Sequence, residues 1–149
     1  MLLVWTIFKI SNKVKQKNSI FENMNIVEAN NYGAIKYNIY NDWNGQIGQT
    51  SQGFVVFDTY QHGIRAITVL LKNYLRFGID TVTAIIRRYS ATDQETYIHF
   101  VSSRLSVLPY DTITENQLNE IVSAIVRYET GKIELSANEI QEIRNIYNV

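Results

Sequence analysis

Glu28 stands three residues before Asn31, just ahead of an Asn-Asn-Tyr-Gly turn at Asn30 to Gly33, and Tyr37, Tyr40, Trp43 and Tyr60 follow it closely. A carboxyl group among apolar rings is held toward its protonated form, in which it can donate to a departing oxygen. Flat rings in turn pack against the CH face of a pyranose. Glu28 is therefore the candidate general acid, and Tyr37, Tyr40, Trp43 and Tyr60 are candidates for a stacking platform. The competing reading is a solvated carboxylate and core aromatics, the commoner fates of these residue types. Glu22 is a weaker candidate acid.

Further along, Asp58 reads first as a helix N-cap paired with Gln61 three residues on, and only second as a base. His62 follows that helix start, where a surface role is expected. Arg88, within Arg87 to Tyr89, has the fork to hold a carboxylate or phosphate, against the plainer reading of a solvated arginine pair beside a core Tyr89. Glu129 falls at a helix C-terminus, where the helix dipole disfavours an anion, so a cationic partner such as Arg127 or Lys132 is expected.

Composition bounds the chemistry. Fourteen basic and fourteen acidic residues cancel, so no global field recruits nucleic acid, and none is expected as a partner. The chain has no cysteine and two histidines, His62 and His99. Thiol catalysis, disulfides and Cys-ligated zinc are excluded, and no metal or cofactor is expected. At 149 residues, 46% hydrophobic and 19% charged, with a single proline, the sequence can bury a real core and does not read as disordered.

Residues 1–17 form an apolar then lysine-rich segment. The run MLLVWTIFKI is too short to span a bilayer, and its charges follow the apolar run instead of preceding it, unlike a secretory signal. Three readings stay open: a strand or helix docked on the domain or on a neighbouring subunit, a membrane-surface anchor through residues 1–10, or a chain that is a fragment or starts upstream of its true domain. Residues 18–149 are expected to form one domain.

That domain is expected to be α+β and mostly α. Asn18 to Asn30 favours a short helix. Gly33, Gly45, Gly48 and Gly53 punctuate β-prone runs at Ala34 to Tyr40 and Phe54 to Phe57, which predict loops with a small hairpin. Helical spacing then takes over with Ile64, Ile67, Leu70, Leu71 and Tyr74, closed by Gly78. It repeats with Val82, Ile85, Ile86 and Tyr89, and again with Tyr97, Ile98, Val101 and Leu105 up to Pro109. A fourth helix opens at Thr114 or Glu115 and runs to Gly131. Ser136 with Glu139 is a capping box opening a last helix through Ile140, Ile143 and Tyr147.

Taken together, NNYGAIKY, DWNGQ, GFVVFDTYQHGIRA, LLKNYL, GIDTVTAIIRRYSATDQETYI and IVRYETG, spanning about Asn30 to Gly131, resemble a family of small bacteriophage and prophage virion proteins. The same order is more faintly similar to glucosaminidase and lysozyme-like domains, in which helices and a small β-hairpin flank a glycan cleft. These resemblances imply a virion-associated, lysozyme-like protein acting at the bacterial envelope, with peptidoglycan and other virion proteins as partners. The implied activity is that of a muramidase, glucosaminidase or lytic transglycosylase, with Glu28 as acid and Asn31, Tyr37, Trp43, Tyr60, Arg88 and Tyr89 as glycan-binding residues. The alternative is a non-catalytic virion structural protein. The chain departs from glucosaminidases in having only Glu22 and Glu28 before the Asn-Asn turn, neither followed by Ser-Gly, and from the phage pattern in having Tyr32 and Ala34 where Pro and Asn stand.

Overall fold

A computed structural model describes residues 19–149; the N-terminal segment 1–17, with its docking and anchoring readings, lies outside the described residues. Among the described residues, five α-helices and a three-stranded sheet make up the regular structure, so the fold is α+β and mostly α. No described helix is long and apolar enough to cross a membrane. The described residues divide into two compact units, with the division between Gly63 and Ile64.

The first unit holds the sheet, in the order β1 (Ser19–Phe21), β2 (Gln46–Thr50) and β3 (Val55–Phe57). β1 runs parallel to β2, with Ser19 opposite Gly48 and Phe21 opposite Thr50. β3 runs antiparallel to β2, pairing Val55 with Gln49 and Phe57 with Gln46 across an irregular register. The turn between β2 and β3 closes as Thr50 Oγ1 accepts from Phe54 N, and Gly53 supplies a φ of +78° that costs other residues strain. Val55, Val56 and Phe57 are all buried, and with Ala29 and Ile35 they form this unit's apolar centre.

Two expectations for this stretch are corrected. The favoured helix over Asn18 to Asn30 is instead strand β1 followed by a single helical turn, in which Ala29 N donates to Asn25 O at 2.9 Å and Asn31 N to Ile26 O at 2.8 Å. Only one turn forms because Asn25 caps it at one end and Asn30, at φ +55°, breaks it at the other. The hairpin forms from Gln46–Thr50 and Val55–Phe57. Ala34 to Tyr40 contributes only an isolated bridge, Lys36 to Phe54, because Ala34 itself is left-handed at φ +50°.

α1 (Tyr60–Arg76) contains the division between the units. Its N-cap is Thr59, whose hydroxyl accepts from His62 N at 3.3 Å, and the expected cap Asp58 makes a different contact described below. Gly78, at φ +73°, closes the helix as expected, with Ile79 N reaching back to Tyr74 O.

The second unit continues with α2 (Val82–Tyr89), α3 (Gln94–Leu105), α4 (Leu118–Thr130) and α5 (Ala137–Tyr147), with a 3-10 turn at Glu115–Gln117 leading into α4. α4 is its centre: Ile121, Val122, Ala124, Ile125 and Val126 are essentially inaccessible, and the helix packs against α3 on one side and α5 on the other. Two helix starts fall where the sequence places them, at Thr114 and at Ser136. Thr81 caps α2 through Ala84 N, Thr114 and Gln117 form a capping box, and Ser136 and Glu139 form another. Gly131 takes φ +70° at the end of α4.

Candidate functional site

In the first unit the residues singled out by the sequence separate by what they bond. Glu28 is exposed, and its carboxylate accepts from Asn25 N at 2.9 Å while Asn25 Oδ1 accepts from Glu28 N at 3.0 Å. The two residues thus exchange hydrogen bonds as a capping box does. Asn31 is fully buried. Its amide donates to Ile35 O at 2.9 Å and Val55 O at 2.8 Å, and its Oδ1 accepts from Ile35 N at 2.8 Å. That side chain staples the turn to β3. Neighbouring Asn30 donates to Phe57 O at 3.1 Å.

One aromatic pair of this unit lies at the start of α1. Tyr60 stacks on Tyr32, with ring centroids 5.6 Å apart and planes 13° from parallel. Trp43 is half-buried with an indole N–H that finds no acceptor, Tyr37 is half-buried, and Tyr40 stands 92% exposed beside Ile39 at 76%. Tyr32 was not among the expected platform residues, although its place in the Asn-Asn-Tyr-Gly turn offered the signal.

The most tightly held ionisable pair here is Asp58 and His62, with Oδ1 and Nδ1 2.6 Å apart. One turn of helix separates them, and Gly45 of the Asp-Trp-Asn-Gly loop lies directly against both side chains. A Cβ at Gly45 would stand 2.6 Å from Asp58 Oδ1 and overlap the His62 ring. Asp58 N donates to Gly45 O at 2.9 Å, so the loop and the pair are fixed to each other.

In the second unit the chemically unusual group is Glu129. Tyr97 donates to its Oε1 at 2.9 Å, and burial lifts its carboxyl above the usual range despite that hydrogen bond, which acts the other way. The expectation of Arg127 as its partner is corrected: Arg127 pairs with Glu134 at 2.7 Å, and Glu134 also takes Arg104 at 2.9 Å. Glu129 is placed by α4 facing α3, so the group it meets is a phenol and not a guanidinium.

Tyrosines surround this carboxyl. Tyr97 is buried and stacks on Tyr128, with centroids 3.7 Å apart, and Tyr128 donates to Asp93 Oδ2 at 3.1 Å. Burial first, and then the field of Glu129, raise the hydroxyl of Tyr89. Tyr97 is raised by burial, then by Tyr89 and Glu129. Tyr74 is raised by burial, with the opposing charge and hydrogen bond of Arg88. The structure therefore brings Arg88 and Tyr89, both singled out from the sequence, into the neighbourhood of Tyr74 and Glu129. What sequence reasoning missed is that neighbourhood itself, built by residues from four helices.

A protonatable, half-buried carboxyl amid phenols can donate or accept one proton at a sheltered position. No group of three or more His, Asp or Glu side chains among the described residues is arranged to hold a metal ion.

Fold and site thus define a mostly helical α+β protein with a half-buried carboxyl among tyrosines in its second unit. No protein-family model matches this chain. The chain is similar to Protein P5 of Pseudoalteromonas phage PM2, at 27% identity over 124 residues that span 80% of this chain and 73% of that protein. The relative is a phage protein, in agreement with the phage affiliation that the residues from Asn30 to Gly131 imply.

Proposed function

We propose that this chain is a virion-associated protein of a phage or prophage, whose principal role is to pack against other particle proteins. The observation that carries this reading is the similarity to a phage protein across four-fifths of the chain. Two structural features support it. Glu28, Asn31, Asp58 and Arg127 are each engaged in internal bonds that hold turns and helix ends. Large apolar side chains also face solvent, with Ile39 and Tyr40 at one turn of the first unit and Leu108 and Tyr110 in one loop of the second. Such side chains lose water on docking, which is the main source of association free energy. Density-gradient purification of particles, followed by peptide mass spectrometry, tests the reading. The protein is expected to co-purify with infectious particles at constant stoichiometry, and its absence from the particle band would overturn the proposal.

A second reading, contact with and cleavage of peptidoglycan at the envelope, is favoured by one observation, the raised carboxyl of Glu129. Glycoside cleavage needs an acid kept protonated near neutral pH. In this reading the acid is either Glu28, with Tyr37, Trp43 and Tyr60 of its own unit as glycan contacts, or Glu129, with Arg88 and Tyr89 of its own unit; Asn31, fully buried and bonded internally, is not a contact. Zymography on purified sacculi with wild type, Glu28→Gln and Glu129→Gln separates the two: clearing lost in one variant alone names the acid, and no clearing by wild type removes the enzymatic reading.

A further inference from the structure

From Ile20 to Val27 the first unit presents apolar side chains that its own core does not cover. Ile20 is 61% exposed, and Phe21, Met24, Ile26 and Val27 are each only half-buried, whereas Val55, Val56 and Phe57 of β3 are buried completely. The same stretch contains β1, the outer strand of the sheet. β2 pairs with one edge of β1, and among the described residues no strand pairs with the other. An open edge beside half-covered apolar side chains makes a surface that gains by being covered.

The charge of this unit is one-sided. Its described residues carry Glu22, Glu28, Asp42 and Asp58 against a single lysine, Lys36, whose ammonium donates to Gln52 O and lies over the Phe54 ring. Among the described residues, no lysine or arginine bridges Glu22, Glu28 or Asp58; Glu28 accepts from Asn25 N, and Asp58 bonds His62. An occupant of complementary chemistry is therefore apolar and basic.

The chain itself supplies one. Eight of residues 1–10 are apolar, and Lys9, Lys13, Lys15 and Lys17 are the only ionic side chains of residues 1–17. That segment holds four of the seven lysines, so the rest of the chain has ten basic residues against fourteen acidic ones. It leads through Asn18 directly into β1. Residues 11–18 reach up to about 27 Å when extended, enough to return the apolar run to β1. Docking within one chain also has the advantage of a high effective concentration and a short loop to close. Charge separates this occupant from an anionic lipid surface, which would attract the lysines but would meet Glu22 and Glu28 at the same place.

We infer that residues 1–17 close over the outer side of β1 and the turn that follows it in the same chain, the apolar run covering Ile20, Phe21 and Met24 and the lysines lying toward Glu22 and Glu28.

The absence of cysteine lets Thr6→Cys carry a single nitroxide label on the full chain. In amide NMR spectra, paramagnetic broadening is expected to be strongest at residues 19–28 and independent of protein concentration. It should be absent when labelled protein without nitrogen-15 is mixed with unlabelled nitrogen-15 protein. No broadening at 19–28 overturns the inference, and broadening in the mixed sample overturns it in favour of a neighbouring copy. The full chain is expected not to float with phosphatidylglycerol vesicles; flotation that abolishes the broadening overturns it in favour of a lipid surface. Independently, the triple variant Lys13→Glu, Lys15→Glu, Lys17→Glu should exchange its amides at 19–28 several-fold faster, with exchange beyond residue 63 unchanged. Equal exchange at 19–28 in the variant and wild type overturns the charge pairing on which the inference rests.

Discussion

Tyr97 of α3 donates its hydroxyl to Glu129 of α4 across 2.9 Å, joining two helices through a carboxyl that burial holds above its usual range. Because the folded value is raised, the share of stability linked to Glu129 is fully present below the ordinary carboxylate range and is lost as pH rises through the folded value. Wild type is therefore expected to lose stability between acidic and neutral pH relative to Glu129→Gln, whose neutral amide can still accept from Tyr97. Thermal melts of both proteins at several pH values check this, and parallel curves would contradict it. Tyr97→Phe removes the one interaction that lowers the Glu129 value, so its stability loss should extend to higher pH than in wild type.

Asn31 is expected to be the most sensitive polar residue of the first unit. Asn31→Ala leaves two buried carbonyls and one buried N–H without their partner, at a cost of about 3 kcal/mol or more. Asn31→Asp should be nearly as damaging, because a carboxylate cannot donate to Ile35 O and Val55 O. Urea denaturation read at a first-unit probe such as Trp43 fluorescence measures both. A loss below about 1 kcal/mol in either variant would mean that the turn repacks without its staple.

Helices were legible in this sequence because period and punctuation agreed. Val82, Ile85 and Ile86 repeat at helical spacing, and Ser136 with Glu139 opens α5 as read. Strands were harder. Gln46–Thr50 is polar with a central glycine, and it becomes a strand because β1 and β3 pair with its two edges, a relationship between residues that lie far apart in the chain. Ala34 to Tyr40 had the better strand composition and formed none, since composition does not reveal a left-handed Ala34. For the site, the dipole argument flagged Glu129 as a residue needing a partner, but the partner is 32 positions away on another helix. Only the packing of α3 on α4 selects Tyr97 over the nearby Arg127.

Two adjacent residues with good capping side chains, Asp58 and Thr59, divide their work at the start of α1, and mutation separates them. Thr59→Ala removes the acceptor for His62 N and should cost about 1 kcal/mol. Asp58→Ala breaks a partly exposed contact to His62 and should cost about 0.5 kcal/mol or less. If Asp58→Ala proves the more damaging in chemical denaturation, the carboxylate and not the hydroxyl holds the helix start.

Gly63 reverses an ordinary expectation. Inside a helix, replacing glycine by alanine usually gains about 1 kcal/mol, since alanine loses less backbone freedom on folding. Gly63 lies in the first turns of α1 with a backbone φ that any residue can adopt, so conformation alone predicts that gain. Its outer face, however, lies against the turn that ends at Asn30. A Cβ there would overlap the Asn30 carbonyl oxygen and stand 3.5 Å from the Phe57 ring. Asn30 cannot retreat freely, because its amide is bonded to Phe57 O and its N–H to Val27 O. Gly63→Ala is accordingly expected to destabilise by about 1–3 kcal/mol, the range of an overpacked contact, with amide exchange accelerated at Asn30 and Phe57. Stabilisation by this substitution would show that the turn and the helix are not held at this separation. Exchange accelerated only within α1 would place the strain in the helix instead.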